Sequence, residues 1–182
     1  MRATSPQPNL IVVMGISGSG KTTLGRQLAK SLGIDFVEAD DFHSQQAKER
    51  MANGEPLTDQ WREPWIKSIC SHLMVVLHYG GESRVLACSG LRKAHRQSFR
   101  ELGYKTFFLY LDGSPKVIWE RLRARKNHFM PANLLQTQID AMECPRGEPD
   151  VYPLDLNKDL SELVEDSLEI MRAITPSDFI GA

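Results

Sequence analysis

The chain has 182 residues, 41% of them hydrophobic and 25% charged, which places it among ordinary soluble one-domain globules with enough length for a sizeable core. Its 22 Lys and Arg against 23 Asp and Glu leave a net charge of −1 and exclude the broad basic surface that nucleic-acid binding needs. No apolar run approaches membrane-spanning length, so no membrane partner is expected.

Residues 1–9 are polar, contain two prolines and carry no apolar signal core, and are expected to form a loose tail. Residues 10–182 then make a single domain. Leu10 to Met14 is an apolar run that reads as a strand, and Gly15-Ile-Ser-Gly-Ser-Gly-Lys-Thr22 fills the phosphate-loop pattern G-x-x-x-x-G-K-[ST]. Glycines let such a loop wrap a polyphosphate and turn its N–H groups inward, and the helix that follows adds the positive end of its dipole. Gly15, Ser17, Gly18, Ser19, Gly20, Lys21, Thr22 and Thr23 are therefore the candidate ATP cradle. Lys21 reaches the β- and γ-phosphates, and the Thr22 hydroxyl ligates Mg²⁺.

Leu24, Leu28 and Leu32 give the following helix its spacing, with Gly33 as its stop. Residues 35–39 read as a second strand, expected beside the first, and residues 45–52 as a helix ending at Asn53-Gly54. Pro64 is expected in the first turn of a helix that runs to about Tyr79 and stops at Gly80-Gly81. Residues 84–89 form a third strand, 92–102 a basic helix and 105–111 a fourth strand. Ser114-Pro115 opens a helix to about Arg125, residues 133–143 make another, and 151–156 a fifth strand that holds Pro153. Asp159 and Glu162 form a capping box for the final helix. Strands alternating with helices predict an α/β, three-layer fold: a parallel five-stranded sheet with helices on both faces. Ligands of such sheets gather beyond the carboxyl ends of the strands.

Cys70, Cys88 and Cys144 are odd in number and far apart, with no C-x-x-C. Cys70 and Cys88 fall in regular elements and read as reduced and buried, which fits a cytoplasmic protein.

At the end of the second strand, alternation puts Glu38 and Asp40 on one side, where one carboxylate can hold the water shell of Mg²⁺ and the other orient an acceptor hydroxyl and take its proton. His43 follows, with no second histidine at metal-ligand spacing, so no zinc site is expected. Arg92, Lys93 and Arg96 form a basic patch that either anchors an anionic substrate or is a solvated helix face. Arg121 and Arg125 share a helix face at the base of the loop 126–131, an arrangement suited to a lid that closes over ATP. The Asp-x-x-Gly and Asn-Lys-x-Asp signatures of GTPases are missing.

These segments resemble the gluconate kinases (gluconokinases), small phosphate-loop kinases related to shikimate and adenylate kinases. The resemblance rests on residues 14–22, on Asp40-Asp-Phe-His43, on 48–59 and on Arg62-Glu-Pro-Trp65. It continues through Cys88-Ser-Gly-Leu-Arg-Lys93, Arg96, 121–129 and Leu134-Leu-Gln-Thr-Gln138, so it spans about residues 10 to 157. It implies a phosphate-loop kinase fold with a mobile lid around 126–143, use of ATP and Mg²⁺, and phosphorylation of a sugar acid, D-gluconate, at its 6-hydroxyl. A homodimer is also implied. Carried over by position, Lys21, Asp40 and Arg125 are catalytic, with Asp40 the base or hydroxyl-orienting group. Arg121 and Arg125 serve ATP. His43, Arg50, Arg62, Lys93, His128 and Gln138, with Asp40, line the sugar-acid pocket. Glu38 stands where many relatives carry the first Asp of Asp-Gly-Asp, facing the hydrated metal.

The alternatives are a kinase for another small hydroxy acid (idonate, a keto-gluconate or shikimate) and a nucleotide-binding module without turnover. Cys88-Ser-Gly-Leu fits neither the Gly-Gly-Gly of shikimate kinases nor the Gly-x-Pro-Arg of adenylate kinases. Intact Lys21, Thr22, Asp40, Arg121 and Arg125 argue against a silent module.

Overall fold

Every residue of the first strand, β1 (Asn9–Met14), is buried in the computed structural model, which describes residues 7–124 and 132–175. Its neighbours on either side are β3 (Arg84–Ala87) and β4 (Lys105–Asp112), both parallel to it. Beyond these lie β2 (Asp35–Glu38), paired to β3, and β5 (Val151–Asp155), paired to β4, so the order is β2-β3-β1-β4-β5. The expected parallel five-stranded sheet is present, but β2 does not adjoin β1. The burial of the two short strands explains the exchange: all four residues of β3 are buried, whereas in β2 only Val37 is, with Asp35 exposed and Phe36 and Glu38 part-buried. A strand apolar on both faces takes the interior of a parallel sheet, and the half-polar one takes the edge. Pro153 is tolerated because β5 is the other edge.

Strand alternation divides the core in two. Ile11 and Val13 point to the side covered by α1 (Lys21–Leu32), α5 (Pro115–Ala124), α6 (Ala132–Ala141) and α7 (Leu160–Ile174). Leu10, Val12 and Met14 point to the other side, against Trp65, Ile69 and Leu73 of α3 (Asp59–Gly80) and Phe99 of α4 (Lys93–Arg100). A short helix, α2 (Gln45–Ala52), lies between β2 and α3 and is capped by Ser44.

The helix signals hold at Gly33 and Gly81, both left-handed stops, at Ser114, and at the Asp159–Glu162 capping box. Pro64 differs. The helix α3 begins at Asp59, so Pro64 sits inside it. Its ring deprives only the carbonyl of Gln60 of a helical donor, and Gln60 is exposed, so water can replace that bond. The tail also differs: Gln7 and Pro8 are tied by hydrogen bonds to Gly103 and Lys105, and Asn9 belongs to β1. Cys88 is buried, and burial pushes its thiol up to about 12, while Cys70 is only half-buried and Cys144 exposed. Among the described residues no helix is long and apolar enough to cross a membrane.

Arg96 is neither a solvated cation nor open to a ligand. It is fully buried, donates to Gly90 O at 2.7 Å and Glu143 O at 3.2 Å, and pairs with Glu148. Arg100 extends the network to Asp150 at 2.7 Å. Burial would raise the Glu148 carboxyl, but the two arginines outweigh it and hold it below its ordinary value. One charge cluster thus fastens α4 to the segment that leads into β5. Arg96→Ala leaves Glu148 with Arg100 alone and two carbonyls without their donor, and is expected to destabilise the fold by about 3–5 kcal/mol in urea unfolding, without altering the m-value.

Candidate active site

The phosphate loop leaves β1 at the carboxyl end of the sheet. Gly15 N–H donates to Ser89 O at 3.3 Å and Cys88 N–H to Val13 O at 3.1 Å, so the pairing of β1 with β3 carries on into the loop and sets Ser89-Gly90 beside it. Gly18 has φ +83, and a Cβ there would lie 2.4 Å from the Leu122 side chain, so α5 packs on bare backbone. Gly20, also left-handed, turns the chain into α1. The Ser19 hydroxyl is buried and has no partner among the described residues.

The cradle's polar groups engage the protein's own atoms. Lys21 Nζ donates to Ile16 O at 3.1 Å. The Thr22 hydroxyl lies beside the Glu38 carboxylate. Burial is the main force raising the Glu38 carboxyl above its ordinary value, and the nearby Asp40 charge adds to it; Thr22 and Lys21 pull the other way. Glu38, Thr22, Lys21 and Asp40 therefore converge. A hydroxyl and one carboxylate beside a polyphosphate cradle are the hard oxygen donors Mg²⁺ takes in such sites, where phosphates and waters complete its shell. Among the described residues there is no cluster of three or more His, Cys, Asp or Glu that would make a self-sufficient metal site.

Asp40 reaches this place by a different route from strand alternation. β2 stops at Glu38, and residues 39–42 form one turn of 3-10 helix. The turn leaves the Asp40 side chain 80% exposed at the mouth of the site. His43 follows it, buried, with Nε2 3.8 Å from Asp40 and its ring stacked on Trp65 at 4.4 Å. Trp65 in turn donates to Ala39 O at 2.6 Å, which locks the turn to α3. His43 Nδ1 is buried without a partner among the described residues.

Arg62, on α3, lies close enough to His43 and to His95 of α4 to lower the proton affinity of both. Asp59 holds Arg62 at 3.1 Å and Arg92 at 3.3 Å. Burial would raise the Asp59 carboxyl, but hydrogen bonds from Arg92 and Arg62 keep it below its ordinary value. Lys93 is exposed at the first turn of α4, its backbone N–H bonded to Glu143. Asp40, His43 and Arg62 thus stand together beyond the carboxyl end of β2, and Lys93 opens the helix that follows β3.

Four of the expected residues are not seen in this cluster. Arg50 pairs with Glu55 at 2.7 Å and lies over the Trp61 ring, so it braces the loop 53–57. Gln138 is on the phosphate loop, where its Oε1 accepts the Ser17 N–H at 2.7 Å. Arg125 and His128 lie outside the described residues. Arg121 is placed beside the loop as expected: it donates to Leu156 O and Lys158 O at 2.6 and 2.8 Å and lines a cavity of about 230 Å³ with Gly18, Gly20, Thr23 and Leu160. Sequence reasoning missed His95 and Asp59. The signal for His95 was its position three residues after Arg92 and four before Phe99, on the inward face of the helix.

A parallel sheet that presents a phosphate loop, a hydroxyl–carboxylate pair and an arginine-lined cavity defines a phosphate-loop nucleotide-binding domain, and residues 10–145 match the family model described as AAA domain. Within that class, the chain belongs to the gluconokinase family. A probable gluconokinase of Xenopus tropicalis is 41% identical over 86% of this chain and 90% of that protein. The thermosensitive gluconokinase of Escherichia coli (strain K12) is 35% identical over 90% of this chain and 87% of that protein. The crystal structure of a gluconokinase from Sinorhizobium meliloti 1021 superposes with a TM-score of 0.84 at 37% identity, covering 93% and 95% of the two chains.

Burial lowers both His43 and His95 below the ordinary 6.5. The unfolded chain then binds protons before the folded one, so this share of stability is intact above 6.5 and is lost as pH falls below it. Thermal melts between about pH 8 and about pH 5.5 should show that decline, and the double change His43→Gln, His95→Gln should flatten it.

Proposed function

We propose that this protein transfers the γ-phosphoryl group of Mg-ATP to the 6-hydroxyl of D-gluconate, giving 6-phospho-D-gluconate and ADP. The observation that carries the reading is the meeting of Asp40 with the phosphate loop beside His43 and Arg62. The family membership supports the choice of acceptor. Gluconate offers one carboxylate and a row of hydroxyls, which call for cations and for polar groups able to give or take hydrogen bonds.

In this reading Gly15 to Thr23 cradle the phosphates, and Arg121 stands at the nucleotide cavity. Thr22 would hold Mg²⁺, with Glu38 facing its water shell, and the ion would supply neutralisation of phosphate charge. Asp40 orients the acceptor hydroxyl. As the hydroxyl oxygen bonds to γ-phosphorus and the bond to the β-bridging oxygen breaks, Asp40 takes the proton. Lys21 leaves Ile16 O for the transferred group. Arg62, Lys93 and His43 face the sugar acid, with Arg62 fixed by Asp59. Arg125 keeps the lid role, and His128 the place in the sugar-acid pocket, that the resemblance implies. The lid that the resemblance implies around 126–143 is anchored through α6, whose Leu135 is buried in the core.

The protein works in the cytoplasm as a homodimer. Exposed Met74, Val75 and Tyr79 on α3, at 50, 56 and 84% of their full accessibility, support an association surface there.

A coupled ADP-release assay across gluconate, idonate, shikimate and AMP tests the acceptor. Gluconate should be turned over best; no turnover with gluconate beside activity on another acceptor would refute the reading. Asp40→Asn should lower kcat by about 100-fold or more while leaving ATP binding intact.

A further inference from the structure

The inner face of α6 carries Leu135, Ile139 and Met142 at helical spacing, packed into the core with Leu135 at 1% exposure. Gln138 stands on that same stripe, three residues after Leu135 and four before Met142. Its partner explains a polar group there: the Ser17 N–H, which can only donate, lies 2.7 Å from the carboxamide oxygen. The chemistry therefore settles the orientation of the amide. The oxygen faces the phosphate loop, and the nitrogen keeps two N–H donors for which no acceptor stands among the described residues. By covalent geometry those donors lie within about 5 Å of the Ser17 nitrogen.

This corner of the loop is the γ-phosphate end. Ser17 follows Ile16, whose carbonyl holds the Lys21 ammonium at 3.1 Å, and Lys21 is the side chain that serves the terminal phosphate. On the acceptor side, α6 is tied down by Glu143, whose N–H donates to Leu91 O at 2.8 Å and whose carboxylate accepts the Lys93 N–H. Gln138 thus lies between the phosphoryl donor and the acceptor pocket, on a helix fixed to both.

We propose that Gln138 reads the γ-phosphoryl group: its oxygen stays on the Ser17 amide, and its Nε2 donates to a γ-oxygen of bound ATP and of the group in flight. This rests on the kinase reading above and moves Gln138 from the sugar acid to the nucleotide. The donated bond strengthens as charge spreads over the equatorial oxygens of the transferring group. ADP has no γ-oxygen, so the contact also separates ATP from ADP.

Calorimetry on the whole chain with magnesium, using a non-hydrolysable ATP analogue and ADP without acceptor, separates the possible roles. Gln138→Ala should bind the analogue about ten-fold more weakly and ADP within about two-fold of the unaltered protein. Gln138→Glu keeps an acceptor for the Ser17 N–H but replaces both donors with a second anionic oxygen, so it should bind the analogue more weakly than the alanine variant. In turnover, Gln138→Ala should lower kcat about ten-fold and leave the KM for gluconate within about two-fold. Wild-type behaviour in Gln138→Glu, or equal loss of ADP and analogue, would reduce Gln138 to a prop for the loop. A raised gluconate KM with unchanged nucleotide binding would return it to the sugar-acid pocket. The binding measurements need no acceptor, so a failure of gluconate as substrate shows separately in the coupled assay.

Discussion

A phosphate loop is a run of backbone donors aimed at a ligand, and those donors need partners whether or not the ligand is there. Here the chain supplies stand-ins from three directions. Ile16 O takes both the Ser19 N–H and the Lys21 ammonium, Ser89 O takes the Gly15 N–H, and Gln138 takes the Ser17 N–H. The first is within the loop itself and the other two come from the segment after β3 and from α6, so the loop is joined to both. Leu122 closes the fourth side by packing on Gly18, where any side chain would collide. The shape of the loop is therefore held by the fold around it, and the sheet order matters because it brings Ser89, at the end of β3, next to Gly15.

The acceptor side depends on the same economy of partners. Trp65 fixes the turn 39–42 through Ala39 O and offers its face to His43, so one buried indole sets both the height of Asp40 and the plane of the imidazole. Asp59 holds Arg62 and Arg92 together across two helices, α3 and α4. An arginine clamped by a carboxylate has already lost much of its rotamer freedom, so little more is lost when it meets an anion. Arg96 does for the fold what Arg62 does for the pocket. It is the same residue type in the same basic stretch, but it is sealed from solvent by Glu148 and carbonyl oxygens.

Much of this was legible in the sequence because it is local. The phosphate loop, the Leu24–Leu28–Leu32 spacing, the glycine stops and the Asp159–Glu162 box each depend on residues within one or two turns of each other. The misreadings have non-local causes. Which strand adjoins β1 depends on the burial of both faces of β3 against one face of β2. The start of α3 depends on whether water can reach Gln60 O. Arg92, Lys93 and Arg96 are near neighbours in sequence, yet their fates part because Glu148, 52 positions beyond Arg96, buries only one of them. Gln138 was noticed for its place in a family pattern, but its partner is 121 positions away and is a backbone N–H, which leaves no mark on sequence.

The substitution of Glu for Asp at residue 38 shows how the two halves of the site meet. In this chain β2 ends at Glu38 itself, and the 3-10 turn that follows draws the backbone away from the sheet. The carboxylate then lies close to both Thr22 and the Asp40 backbone. Glu38 thus stands between the first turn of α1 and the turn that bears Asp40. Glu38 thereby couples Thr22 to the turn that bears Asp40, so a shift in either half of the site is felt by the other.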